Sequence, residues 1–211
     1  MSSPSGYEAG YNTLMSQNDD SERRPARRRE RAEIPPERRE AARRQIRTLG
    51  DPVLREVARP VERFDRDLGA LSRRMIAIMR DAPGVGLAAT QLGVVQRVIV
   101  YEVDDEPVTL INPKIVSSSR ELETADEGCL SLPGVTVPVE RPAAVRVRGR
   151  DLRGRRLDYE AEGLEARVIQ HETDHLDGIL IIERTTREER ARVLRELRER
   201  ETAAVPAGSG L

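Results

Sequence analysis

The run His171-Glu172-Thr173-Asp174-His175 has the residue types and spacing of a metal-binding helix. Histidines four positions apart lie on one face of an α-helix, so both imidazoles can reach one ion at about 2.0 to 2.1 Å. Glu172 lies about 100° round the helix from His171, where its carboxylate can take a proton from a nearby water molecule. The chain contains 2 histidines, and both belong to this pattern. The pattern therefore predicts a metallohydrolase rather than two unrelated histidines.

A catalytic metal site needs a third protein ligand beside its open position. Ile181 stands where one class of zinc endopeptidase has a third histidine, so that class is excluded. Glu183 or the charged cluster at 188–190 could supply a carboxylate from downstream. Cys129, the single cysteine, is the better candidate because its thiolate would complete a Cys-His-His set. Gly128 before it allows the backbone to approach closely.

The overall composition limits the functions that remain. The 211 residues fit one catalytic domain with tails, and the net charge of -1 gives no general attraction to nucleic acid. Aromatic residues make up 2% of the chain, which disfavours recognition by base stacking. No apolar run reaches the roughly 18 to 20 residues that span a bilayer, and the N-terminus lacks a secretory apolar block. We expect a cytoplasmic protein that binds neither membranes nor a specific nucleic acid.

The distribution of charge predicts three regions. Residues 1–45 are polar and densely charged, which is typical of a disordered extension. Residues 46–203 have the apolar periodicity of a catalytic domain, and residues 204–211 read as a flexible tail. The alternative for the extension is a basic arm that contacts RNA or the ribosome, but acidic residues interspersed among its arginines dilute that field.

The pattern of the catalytic domain predicts an α+β fold, with antiparallel or mixed sheets around a central helix that carries the histidines. Asp65 is predicted to cap a helix that ends near Pro83-Gly84. The central helix should cover residues 164–177 and end at Gly178, and a C-terminal surface helix should cover 186–201. Strand-like runs occupy residues 97–103, 108–116, 143–150 and 155–161.

Three segments of the sequence together resemble the peptide deformylase family, whose members remove the formyl group from the N-terminus of newly made bacterial proteins. The segments are Gly84-Val85-Gly86-Leu87-Ala88-Ala89-Thr90-Gln91, Glu127-Gly128-Cys129-Leu130-Ser131 and Gln170-His171-Glu172-Thr173-Asp174-His175-Leu176-Asp177-Gly178. They occur in the family's order and approximate spacing, and the similarity extends from about residue 46 to 183.

The resemblance implies a role for each matching residue. Cys129, His171 and His175 would be the metal ligands, and Glu172 would act as general base and then as general acid. Gln91 and the backbone N–H of Leu130 would bind the developing oxyanion. The substrate would lie extended against Val85, Gly86, Leu130 and Val168. Glu127, Asp174 and Arg141 are candidates for residues that orient the metal ligands through hydrogen bonds without binding the metal themselves.

The resemblance also implies one divalent metal ion and N-formylmethionyl nascent peptides as partners, and it leaves contact with the ribosome near the exit tunnel open. The ligand types alone suggest Zn(II), whereas the family implies Fe(II), replaceable by Ni(II), Co(II) or Zn(II). Two rival functions remain: a metallo-endopeptidase with its third ligand downstream of His175, and a noncatalytic protein with a structural zinc site. Structural sites usually have four protein ligands, which argues against the second rival.

Overall fold

The computed structural model describes residues 33–103 and 105–204, which form the predicted α+β fold. The helices are α1 (Pro36–Arg43), α2 (Arg66–Asp81), α3 (Gly163–Leu176) and α4 (Arg187–Ala204). The strands are β1 (Gly86–Ala88), β2 (Val98–Glu102), β3 (Pro107–Ser118), β4 (Leu122–Cys129), β5 (Leu132–Pro142), β6 (Ala144–Arg150) and β7 (Arg156–Glu162). Short 3-10 turns cover Pro52–Arg55, Ala89–Leu92 and Ile181–Glu183.

Five strands form an antiparallel sheet in the order β1-β2-β3-β6-β7, and β4 pairs with β5 in a separate antiparallel ribbon. Every residue of β2 is buried. Val98 and Val100 pack in the cluster that includes Met75 of α2, while Ile99 and Tyr101 pack in the cluster of α3. A helix therefore covers each face of β2, which explains why its sequence is continuously apolar rather than alternating.

Helix α3 is the central helix that the sequence predicted. It contacts β1, β2, β5 and β7, and its buried residues include the apolar Ile169 and the polar Glu172 and His175. The histidine pattern therefore lies inside the protein, between the large sheet and the β4–β5 ribbon.

The four predicted strands and three predicted helices are present, with small shifts at their ends. Asp65 caps α2 as expected, because its Oδ1 accepts hydrogen bonds from the N–H groups of Asp67 and Leu68. Helix α4 lies on the surface and buries Val193 against the 3-10 turn Ile181–Glu183. The sequence did not predict β1, β4 or β5.

The predicted disorder is wrong for the last part of the 1–45 extension, because Pro36–Arg43 forms α1. Ala42 is 3% exposed and Ile46 is 6% exposed, and both belong to the core cluster of α2. Arg38 donates to both carboxylate oxygens of Asp81 at the end of α2. Residues 1–32 and 205–211 lie outside the described residues, so the rest of the expected division stays a prediction. No helix in the described part of the chain is long and apolar enough to cross a membrane.

Gly178 directly follows the end of α3 and has the left-handed conformation that the sequence predicted, with φ +72°. A Cβ at this position would also lie 2.6 Å from the backbone oxygen of Arg55. Two independent constraints therefore require glycine here.

We predict that Gly178→Ala destabilises the fold by about 2 to 5 kcal/mol, the sum of left-handed strain and overpacking. Gly163 is the matched control, because its φ is +54° and a Cβ there would meet no atom within 4 Å. Gly163→Ala should cost about 1 to 2 kcal/mol, from strain alone. Urea unfolding of both variants measures the difference, and equal losses would contradict the role of the Arg55 contact.

Candidate metal centre

The three predicted ligands come together from two elements. Cys129 is the last residue of β4, and His171 and His175 lie one turn apart on α3. Their ligand atoms all lie within 4.8 Å of one another, and Cys129 Sγ is 3.2 Å from His175 Nε2. His175 is buried, whereas Cys129 and His171 are half-buried and line a cavity. One thiol and two imidazoles at this separation fit a divalent metal that prefers nitrogen and sulfur ligands.

Glu127 fixes the orientation of His171. The Nδ1 atom of His171 lies 2.9 Å from Glu127 Oε2, and Arg141 donates to both oxygens of the same carboxylate at 2.7 and 2.9 Å. Burial would raise the pKa of Glu127, but the hydrogen bonds of His171 and Arg141 outweigh it and hold this pKa at about 2. The ionised carboxylate can only accept, so His171 Nδ1 donates and Nε2 is left for a metal.

Arg141 links this contact to a second residue of α3. Its Nη1 donates to Asp174 Oδ2 at 2.8 Å, and Arg184 also donates to Asp174. The three residues proposed from sequence to hold the ligands, Glu127, Asp174 and Arg141, thus form one connected network. Arg167 also joins this network by donating to Glu127 Oε1 at 2.8 Å.

The surroundings of Cys129 favour its thiolate form. Burial would raise the pKa of this thiol, yet His175 and His171 outweigh burial and keep its pKa well below the usual value. A coordinated cation would act in the same direction. The backbone N–H of Ser131 also points at the sulfur, 3.4 Å from Sγ. The site is therefore built for a thiolate, which is the form of cysteine that binds metals.

Glu172 is 4% exposed, and its Oε2 has no hydrogen-bond partner among the described residues. Burial raises its pKa to about 7, against the opposing effect of His171 and His175. A Cβ at Gly86 would overlap this carboxylate, so Glu172 lies directly against strand β1. The glycine thus makes room for a buried carboxylate that keeps one oxygen free.

Gln91 is held with its amide nitrogen towards the thiol. Its Oε1 accepts from the backbone N–H of Ala88 at 2.8 Å, which identifies the other amide atom as Nε2. That Nε2 lies 3.0 Å from Ser131 Oγ and 3.8 Å from Cys129 Sγ. A neutral donor is therefore oriented beside the proposed ligand set.

One cavity of about 670 Å³ contains these groups. Its lining includes the predicted residues Val85, Gly86, Gln91, Cys129, Leu130, Val168, His171 and Glu172. His175 is absent from the lining because it lies beneath the cavity floor, 1% exposed. The exposed residues Leu164 and Arg43 also line the cavity, which the sequence did not predict. Arg43 was not expected there because residues 1–45 were predicted to be disordered.

The downstream alternative for the third ligand has other partners. Glu183 accepts a hydrogen bond from the backbone N–H of Leu180 at 2.9 Å and pairs with Arg55. In the 188–190 cluster, Glu189 pairs with Arg192 of the same helix. Neither carboxylate belongs to the group of ligand atoms around Cys129.

Comparisons with known proteins agree with this geometry. A family model described as polypeptide deformylase matches residues 43–191. A peptide deformylase of Dictyoglomus thermophilum is 50% identical over 145 residues, which cover 69% of this chain and 94% of the relative. A peptide deformylase of Acidothermus cellulolyticus is 48% identical over 160 residues, which cover 76% of this chain and 88% of the relative.

Solved structures are similar as well. The peptide deformylase of Thermotoga maritima is 48% identical, with a TM-score of 0.66 over 67% of this chain and 96% of that chain. A peptide deformylase of Synechococcus elongatus, in complex with actinonin, is 45% identical, with a TM-score of 0.69 over 72% of this chain and 84% of that chain.

The matched region contains every residue of the ligand cluster and of its supporting network. The match covers most of the chain, and the relatives are matched over nearly their full length. The chain therefore belongs to the polypeptide deformylase family and is a metal-dependent hydrolase that removes the formyl group from the N-terminal methionine of newly synthesised polypeptides.

Proposed function

We propose that deformylation takes place in the cavity between β1, β4 and α3, with each predicted residue in the role that the sequence suggested. Cys129, His171 and His175 hold the metal ion, Glu172 transfers protons, and Gln91 with the backbone N–H of Leu130 binds the developing oxyanion. The observation that carries this proposal is that one cavity is lined by the thiol of Cys129, the imidazole of His171, the carboxylate of Glu172 and the oriented amide of Gln91. The buried imidazole of His175 lies within 4.8 Å of the thiol and of the first imidazole.

A divalent ion at these ligands would supply Lewis acidity for the formyl oxygen and for the attacking water. Glu172 suits the proton transfers because its Oε2 is buried and free of protein hydrogen bonds. The same carboxylate can take a proton from the water and then give it to the leaving amine of methionine. Formate and a free N-terminus result.

Gln91 provides a donor that is in position before the reaction starts. The hydrogen bond from Ala88 N–H to Oε1 holds the amide group in place, so Nε2 does not need to reorient as negative charge develops on the formyl oxygen. A preorganised donor of this kind stabilises the transition state more than the ground state.

The methionine side chain fits an apolar part of the cavity, lined by Val85, Leu130, Leu164 and Val168. Strand β1 is the edge of the five-stranded sheet, because its one partner there is β2. An extended peptide can add to this free edge near Gly86 through backbone hydrogen bonds. Backbone pairing beyond the methionine tolerates many sequences, as a general processing enzyme requires.

The native metal and the cellular location follow from the same assignment. We expect Fe(II) in the cell, with Ni(II), Co(II) and Zn(II) as functional replacements. Since the substrate is made on the ribosome, we place the enzyme in the cytoplasm and propose a contact near the exit tunnel.

The role of Gln91 predicts that Gln91→Ala lowers kcat for formate release from formyl-Met-Ala-Ser by about 100- to 1000-fold. The metal content should stay at the wild-type level, because Gln91 is not a ligand in this scheme. Gln96→Ala is the matched control, since Gln96 is exposed and does not line the cavity. Near wild-type turnover of Gln91→Ala would remove this residue from the mechanism.

The role of Cys129 predicts that Cys129→Ser loses both bound metal and formate release. Glu183→Gln should keep both, because Glu183 pairs with Arg55 and lies outside the ligand cluster. A metallo-endopeptidase with a downstream carboxylate ligand would give the reverse pattern. Metal analysis of each purified variant, together with the formate assay, distinguishes the two schemes.

The expectation of Fe(II) predicts that protein purified without oxygen carries about one iron per chain and loses activity in air. Reloading with Ni(II) or Co(II) should restore formate release. Elemental analysis alongside the assay tests this, and an iron-free, zinc-loaded protein with full activity from the cell would contradict it.

A further inference from the structure

Arg43 lines the catalytic cavity together with Gly86, His171 and Glu172, although it belongs to α1. The family match begins at residue 43, so the rest of α1 lies before the matched region. Arg43 is therefore the first matched residue, and it stands at the end of a helix whose other residues precede the match.

The position of α1 is fixed by contacts with α2. Ala42 is buried next to Arg43, and Arg38 pairs with Asp81 at an Nη2–Oδ1 distance of 2.6 Å. Arg74 of α2 donates to Gln45, just beyond the helix, at 3.2 Å. Arg43 therefore projects from the end of a helix whose position is fixed by these contacts.

The segment after α1 is bonded directly to the site. The backbone N–H of Arg47 donates to the carbonyl oxygen of Gln91 at 2.7 Å. Two residues later, the N–H of Leu49 donates to the carbonyl oxygen of Ser131 at 2.9 Å. These bonds hold the end of α1 close to Gln91, which carries the catalytic amide, and to Ser131, which accepts a hydrogen bond from that amide.

The guanidinium of Arg43 has no ion pair among the described residues, whereas its neighbour Arg44 pairs with Glu40 at 3.1 Å. Two other charged residues of the cavity lining, Arg167 and Glu127, pair with each other. The acidic lining residue Asp126 lies on β4 and offsets Arg43 in the total charge. Apart from the groups at the metal centre, Cys129, His171 and Glu172, the lining thus has no net charge, and selection by Arg43 requires a local contact.

We propose that Arg43 forms a subsite for an acidic side chain in the formylated peptide, downstream of the methionine. The inference rests on the proposed deformylation in this cavity and adds a substrate class to it. A carboxylate at the second, third or fourth peptide residue would pair with the exposed guanidinium. Exposed ion pairs of this kind change equilibria by about two- to fivefold, and added salt weakens them.

The test measures kcat/KM for formate release from three peptide series that carry Glu, Gln or Lys at the second, third or fourth position after formylmethionine. At one of these positions the wild-type protein should prefer Glu over Gln by about two- to fivefold, and 0.5 M salt should reduce this ratio. Arg43→Gln should abolish the ratio, and Arg43→Glu should favour Lys. Arg44→Gln, with the same charge change at the next position, should leave the ratio unchanged.

The ratio of two substrates on one preparation does not depend on how much of a variant is folded. The inference is overturned if the Glu/Gln ratio is near one at all three positions in the wild-type protein. It also fails if Arg43→Gln keeps the ratio or Arg44→Gln lowers it equally. Failure of the proposed function would look different, since the Gln peptides would release no formate either.

Discussion

The carboxylate of Glu127 holds the two halves of the metal centre together. Cys129 comes from strand β4 and the histidines come from helix α3, so the ligand geometry depends on how these elements meet. Glu127 lies on the same strand as Cys129, and it accepts from His171 on the helix and from Arg141 and Arg167. Removing one partner from a buried ion pair costs about 3 to 5 kcal/mol, so this contact strongly resists displacement.

The positions of the contacting residues along β4 and α3 allow this arrangement. Glu127 and Cys129 both face α3, since Glu127 contacts His171 and Cys129 contacts His175, and the strand register shifts between Gly128 and Cys129. His171, Asp174 and His175 are three and four residues apart, so they share one side of α3. Arg141 on β5 forms ion pairs with both Glu127 on β4 and Asp174 on α3. This buried arginine therefore connects both elements of the metal centre to β5.

The sequence predicted those parts that local patterns control. The cap at Asp65, the turn at Gly178 and the paired histidines each depend on a few adjacent residues. Strand β4 escaped prediction because most of its residues are exposed and polar, so it shows no alternation. Helix α1 escaped because its dense charge indicated disorder, while its order depends on the burial of Ala42 and on the distant Asp81. The third ligand depends on a long-range contact, and the sequence favoured Cys129 only because it is the single cysteine and because the family resemblance includes it.

The reacting residues of the site are buried, whereas part of the cavity lining is exposed. This separation allows the peptide preference of the site to change independently of its catalytic residues. Gln91, Glu172 and His175 are 2%, 4% and 1% exposed, so a change at any of them would disturb the buried packing around the metal ligands. Arg43 and Leu164 line the same cavity but are exposed, so they can change without moving the metal ligands. Helix α1 packs on α2 and reaches this rim through Arg43, outside the group of reacting residues. Substrate preference can therefore evolve at α1 while the hydrolysis itself stays the same.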